Sequence, residues 1–240
     1  KITHRKDPIV PMTIVGVPPM EDGYLGEAIG DAFRPVLQFQ HRDVIDLFLP
    51  LETGFHNLAI VSSKQRYPRQ ARKTALGLLG AGQMMFLKVI ICVDAEHPVK
   101  NLDYLLDALE NNVDIPNDLV FLEGMVADAL EHASPEENIH TKLIIDATSS
   151  EIIKNKNSNK NISKSIEISS SAVEGVTESR MIRPNMMVVT TNIEGGPKPE
   201  ESMEEENEEL AWQQREKISK ICKDIWNLEG ANNLKWLFIT

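Results

Sequence analysis

Two cysteines in 240 residues leave no room for a disulfide framework. Cys92 and Cys222 each lie in an apolar run, which marks them as reduced, buried thiols of a cytoplasmic protein. No apolar run reaches the roughly 18 residues that a membrane-crossing helix needs, and the opening KITHRKDPIV has no signal-peptide core. The reading therefore predicts no transmembrane segment. Cations are scarce, with 25 Lys and Arg against 36 Asp and Glu, for a formal net charge of −11. A general nucleic-acid or membrane-surface binder would profit from a basic face, so those classes are disfavoured. There is no GxGxxG, no P-loop and no GxSxG element. His4, His41, His97, His132 and His140 show no metal-ligand spacing with Cys or carboxylates, so no metal ligands are assigned.

Against these absences stands an ordinary globular composition, 42% hydrophobic and 25% charged, long enough for one large or two small domains. Extended sequence is expected between Ile9 and Val17, then a stop at Gly16, Pro18 and Pro19. Helical spacing follows from Tyr24 to Gln40, with Pro35 bending or dividing it. VIDLFLP and NLAIVSS have strand length. Ala71, Thr74, Ala75, Leu78 and Leu79 recur at helical spacing, closed by Gly80 and Gly82. LKVIICVD reads as a strand covered on both faces. Asn101 to Glu110 predicts a short helix, DLVFLEG a strand, Val126 to His132 a weak helix and KLIID another strand.

This alternation places the chain in the α/β class, with a mostly parallel or mixed sheet and crossover helices. After Asp146 the sequence turns polar: KNKNSNKNISKSIEISSS reads as an insertion or flexible loop. NMMVVTTN, an acidic run, a helix carrying Leu210, Ile218, Ile221, Cys222 and Ile225, and KWLFIT then repeat the order of residues 57 to 93. Two similar βαβ-type units, a degenerate duplication, are expected. The acidic run reads as a solvated helix start.

One local exception breaks the acidic character. Lys64, Arg66, Arg69, Arg72 and Lys73 fall between a strand end and the first turns of a helix. Ligands gather outside the carboxyl ends of strands in open α/β sheets, and helix N-termini offer free amide donors to anions. A phosphate or carboxylate site is physically sensible there, and a solvated face or a salt-bridged subunit interface is the ordinary alternative. Lys64 stands apart because it directly follows the buried strand. Glu52 and His56 precede the same strand across Gly54, at the rim of any pocket there. In GAGQMMF the GxG lies after a helix, so Met84, Met85 and Phe86 read as core or interface groups.

Three segments carry a resemblance to the UbiD family of decarboxylases, specifically to its carboxyl-terminal region. They are KITHRKDPIVPMTIVGVPPMED; FRPVLQFQHRDVIDLFLPLETGFHNLAIVSSKQRYPRQARK, with its strand-then-Lys-x-x-Tyr order; and GAGQMMFLKVIICVD followed by IDATS. GAGQMMF is similar to the long UbiD-like enzymes called menaquinone biosynthesis decarboxylases. The resemblance covers residues 1 to 149. It implies a carboxy-lyase acting on an aromatic or unsaturated acid with prenylated FMN, whose phosphate is held with Mn²⁺ and K⁺.

By the same resemblance, the catalytic Glu-Arg-Glu set and the metal ligands belong to a split-barrel domain preceding Lys1. This chain, which opens without methionine and ends within the strand-like NNLKWLFIT, is then expected to be a carboxyl-terminal piece that does not catalyse alone. The expected divisions are 1–22, a linker entering from that domain; 23–149, the UbiD-like α/β domain; 150–184, an insertion or loop; and 185–240, a truncated second βαβ-like unit. Lys64 aligns with the family lysine that reaches the cofactor. Phe55 and His56 are placed on the substrate side. Arg66, Arg69, Arg72 and Lys73 are left to line the entrance or an interface. Its expected partners are its own preceding domains and further copies of itself in a homodimer or larger homo-oligomer, LGLLGAGQMMF serving as contact. The competing reading is a noncatalytic α/β interaction module that binds a partner protein or phosphate through the basic segment.

Overall fold

The computed structural model describes residues 20–53, 57–115, 117–128, 138–149, 172–193 and 205–240. The chain divides into two compact units, whose described parts are 20–149 and 172–240. Within the first, helix α1 (Met20–Gln40) runs through Pro35 as one helix; the proline removes one amide donor without dividing it. The strand expected at Ile9 to Val17 lies outside the described residues.

Five strands form one sheet in the order β1-β2-β3-β5-β4. β2 (Leu58–Ser63), β3 (Val89–Asp94) and β5 (Ile139–Asp146) are mutually parallel and buried along nearly their whole length. Their β-branched runs suit strands packed on both faces, as the sequence predicts. β1 (Val44–Phe48) and β4 (Leu119–Val126) close the two edges antiparallel, so the sheet is mixed. β4 pairs with β5 as far as Val126↔Ile139 beyond a register shift, and Gly124 at φ +67° sits in that irregularity. The helix expected from Val126 is thus replaced at its start by strand, because the hairpin pairing continues there. Residues 129 to 137 lie outside the described set.

α2 (Gln70–Leu79) crosses from β2 to β3 and buries Ala71, Thr74, Ala75, Leu78 and Leu79, the expected positions. Its apolar stripe joins Leu37 of α1 with Val61, Ile90, Cys92 and Ile144 of the strands in one core. Met84, in the 3₁₀ helix Gly82–Phe86, belongs to the same core, while Leu76 and Met85 remain exposed. α3 (Leu102–Asn111) is capped by Asn101, whose side chain accepts from the amides of Asp103 and Tyr104.

In the second unit the order is β6-β7-β8. β6 (Val176–Arg183) pairs antiparallel with β7 (Met186–Thr191), which runs parallel to β8 (Trp236–Ile239). β6 falls inside 150–184, read from the sequence as insertion or loop. Its polar residues alternate on an exposed edge, which leaves little hydrophobic signal to read. α4 (Glu205–Trp226) connects β7 to β8 and puts Ile218, Ile221, Cys222 and Ile225 against Met187, Val189 and Leu237. Leu210's side chain lies outside the described set. A hairpin, a helix, a 3₁₀ turn and a parallel third strand therefore occur twice, in β1-β2-α2-β3 and in β6-β7-α4-β8. This matches the repeated order read from the sequence.

Candidate functional site

The parallel strands end together at Ser63, Asp94 and Asp146. Ser63 is in register with Asp94, and Cys92 with Asp146. This is the edge where an open α/β sheet leaves backbone and side chains free for a ligand. Just beyond β2 the chain turns through Lys64 to Arg69 into α2, so the sequence-predicted cations lie at this edge.

Three of the five cations are already spent within the unit. The Arg66 guanidinium lies 3.4 Å from the carboxylate of the buried Asp43. Arg69 pairs with Asp118, and Arg72 lies 3.7 Å from the same carboxylate and donates to the Asn117 carbonyl. Each binds a loop beside its own sheet: Arg66 the turn into β1, and Arg69 and Arg72 the loop before β4. Lys64 and Lys73 are exposed, and neither ammonium makes an ion pair among the described residues. The Lys64 amide donates to the Asp43 carbonyl at 2.8 Å, which fixes where the backbone leaves the strand. Gln65 folds back to donate to Ser63 Oγ at 2.8 Å, and Gln70 Oε1 accepts from the Arg66 amide at 2.6 Å. Two residues before Lys64, the Ser62 hydroxyl is buried with no hydrogen-bond partner among the described residues. An exposed cation, a spare hydroxyl and a helix N-terminus suit an anionic oxygen ligand such as a phosphate.

Sequence reading missed the carboxylates that frame this edge. Asp94 Oδ2 accepts the Ser149 amide at 2.8 Å, and Asp146 Oδ1 accepts the Thr148 hydroxyl at 2.6 Å. Burial raises the Asp146 carboxyl above the ordinary carboxylate range, the Thr148 hydrogen bonds oppose that, and the nearby Asp118 charge adds to it. The only hint was IDATS, a polar cluster at the end of an apolar strand. Burial, with a smaller push from Asp146, also drives the Cys92 thiol far up, and the thiol points at the Ala71 carbonyl. Neither cysteine is in a disulfide and both are buried, as their apolar settings predict. Phe55 and His56, placed on the substrate side by sequence, lie outside the described residues, as does the Glu52 side chain. Among the described residues no three His, Cys, Asp or Glu side chains form a group suited to a metal ion. No described helix is long and apolar enough to cross a membrane.

Comparison with known proteins adds independent findings. The family described as the 3-octaprenyl-4-hydroxybenzoate carboxy-lyase C-terminal domain matches residues 23–147. An uncharacterized protein of Archaeoglobus fulgidus is 42% identical over 147 residues, 61% of this chain and 31% of its own length. The chain thus spans under a third of the length of the curated relatives it matches. Among solved structures, the open form of the Sedimentibacter hydroxybenzoicus vanillic acid decarboxylase shares 29% identity. That match covers 47% of this chain and 24% of the other, at a TM-score of 0.45. The UbiD-class enzyme HmfF from Pelotomaculum thermopropionicum, in complex with FMN, shares 16% identity. It covers 60% of this chain and 31% of the other, at a TM-score of 0.47.

Proposed function

Because the chain belongs to the UbiD carboxy-lyase C-terminal-domain family, we propose that its first unit forms one wall of the cofactor site of a decarboxylase. The substrate class is an aromatic or unsaturated carboxylic acid, and the cofactor is prenylated FMN. The observation that carries this reading is Lys64. It is exposed directly after β2, and among the described residues its ammonium, like that of Lys73 on α2, makes no ion pair, whereas Arg66, Arg69 and Arg72 each do. A compact, freely rotating ammonium beside a helix N-terminus suits a phosphate dianion.

When bound, prenylated FMN supplies the electron sink for loss of CO₂. The residues of this chain hold and orient. Lys64 contacts the cofactor phosphate, with the Ser62 hydroxyl available as an additional donor. Asp43 fixes the position of Lys64 through the backbone bond at the strand end. No described residue is assigned to the acid or base of the reaction. Mn²⁺ and K⁺, with the Glu-Arg-Glu set, would be supplied by parts of the protein other than the described residues. GAGQMMF supports an aromatic acid of quinone synthesis, of the menaquinone type, as substrate. Leu76 and Met85, exposed at the end of α2 and in the turn after it, are available to a second copy.

The experiment is a pair of absorbance spectra of the intact protein, produced with and without a flavin prenyltransferase, followed by a CO₂-release assay on aromatic acids. Flavin absorbance and CO₂ release that depend on the prenyltransferase support the proposal. A colourless protein that stays inactive under both conditions rejects it.

A further inference from the structure

Arg69 holds a backbone conformation that arginine has no intrinsic reason to adopt. It sits at φ 65°, ψ 16°, in the left-handed region, as the N-cap of α2. L-residues other than Gly, Asn and Asp rarely enter that region, and Arg69 gains no capping hydrogen bond there. Something outside the turn must hold it. The partner in place is Asp118, 49 residues away on the loop between α3 and β4, whose carboxylate takes the Arg69 guanidinium. Arg72, nearly one helical turn later, lies 3.7 Å from the same oxygen.

Asp118 is itself anchored on three sides. Its Oδ2 accepts the Asp114 amide at 2.8 Å, its own amide donates to the Asp114 carbonyl at 2.9 Å, and its carbonyl accepts the Asp146 amide at 2.9 Å. A carboxylate so placed is a fixed point tied to the end of β5. The turn from Lys64 to Arg69 is therefore clamped at both ends, by Asp43 at its entry and by Asp118 at its exit.

We infer that Asp118 is a positioning residue for Lys64. By holding Arg69 in the left-handed conformation it sets the path of the Lys64 turn, and by taking up Arg69 and Arg72, as Asp43 takes up Arg66, it leaves Lys64 as the cation of that turn without an ion pair among the described residues. Asp118 does not touch that ligand. This inference rests on the reading of Lys64 as a phosphate contact.

The test uses the intact apoprotein with FMN as the probe, read by quenching of flavin fluorescence, in four variants: Lys64→Ala, Asp118→Ala, Asp118→Asn and Asp118→Ala combined with Arg69→Gly. Asp118→Ala is expected to weaken FMN binding about tenfold or more, the scale on which misplaced contacts act. Asp118→Asn, which keeps the acceptor oxygen and loses the charge, is expected to fall between it and the parent. Glycine adopts the left-handed region without cost, so Arg69→Gly is expected to restore the turn, and most of the FMN affinity, without Asp118. Amide hydrogen exchange at residues 65 to 70 should quicken in Asp118→Ala and slow again in the double variant.

If Lys64→Ala weakens FMN and Asp118→Ala does not, the positioning role is wrong while the Lys64 reading stands. If the double variant is not rescued, or if Asp118→Ala fails to fold and Asp118→Asn binds like the parent, Asp118 is structural only and the inference is overturned. If Lys64→Ala binds FMN like the parent, the Lys64 reading falls and takes the inference with it.

Discussion

Gly77 of α2 lies directly against the ring of His41: a Cβ built on Gly77 would meet His41 Cε1 at 2.3 Å, far inside contact distance. The glycine is the space that lets the residue after α1 pack on α2, and the His41 Nδ1 is buried there without a hydrogen-bond partner among the described residues. Two effects compete when Gly77 becomes alanine. Helix propensity gains about 1 kcal/mol, whereas forcing a methyl group into occupied space costs about 1–3 kcal/mol. Gly77→Ala is expected to be net destabilising in the parent and stabilising in a His41→Ala background. A double-mutant cycle by urea unfolding reads the sign change; the same sign in both backgrounds would contradict the packing account.

Lys142 supplies a second prediction, at the other end of β5. Its side chain is 1% exposed, and Nζ lies 2.7 Å from the carbonyls of Met85 and Leu87, 2.8 Å from that of Val126 and 2.7 Å from His140 Nε2. The ammonium ties the 3₁₀ turn Gly82–Phe86 to the end of β4. Lys142→Met fits the stem but leaves those carbonyls without a donor, at about 1–3 kcal/mol each if they stay buried. A loss of at least about 3 kcal/mol in chemical unfolding is expected. A loss below about 1 kcal/mol would mean that water or a rearranged turn replaces the ammonium.

Asp146 predicts a pH effect whose sign follows from burial. Its carboxyl is raised in the fold, so protonation favours the folded state, and its contribution is lost as pH climbs from the ordinary carboxylate range through the raised value. Asp146→Asn keeps an acceptor for Thr148 and removes the buried charge. The thermal midpoint of the parent relative to this variant should therefore fall as pH rises from about 4, the ordinary carboxylate range. Parallel curves would show that the carboxyl titrates alike in both states.

The thiols are expected to be silent. Cys92 and Cys222 are both buried, and burial drives the Cys92 thiol upward, so little thiolate forms at neutral pH. A maleimide should label neither residue in the folded protein and both in denaturant. Rapid labelling of the native protein at Cys92 would show that α2 opens.

How much of this was legible from the sequence depends on whether a feature is local. β2, β3 and β5 announce themselves as β-branched runs because both faces are buried, and α3 carries its own cap in Asn101. β6 was hidden because an edge strand with polar residues facing out has no hydrophobic signature, and it follows a Ser-rich stretch. Lys64 could be picked out because it follows a buried strand. The fate of its neighbours could not be read, since Arg69 and Arg72 are neutralised by a residue more than forty positions away, and nothing in NDLVF marks Asp118 as their partner.

The measurement that bears most directly on the account is cofactor retention in Lys64→Ala. The intact protein and this variant would be produced together with a flavin prenyltransferase, desalted, and compared by flavin absorbance per protein and by thermal midpoint. The account predicts a clear loss of bound flavin in Lys64→Ala with an unchanged midpoint, because an exposed ammonium with no ion pair among the described residues contributes little to folding. Equal flavin content in the two proteins would remove Lys64 from the cofactor site and leave the basic turn without its assigned ligand.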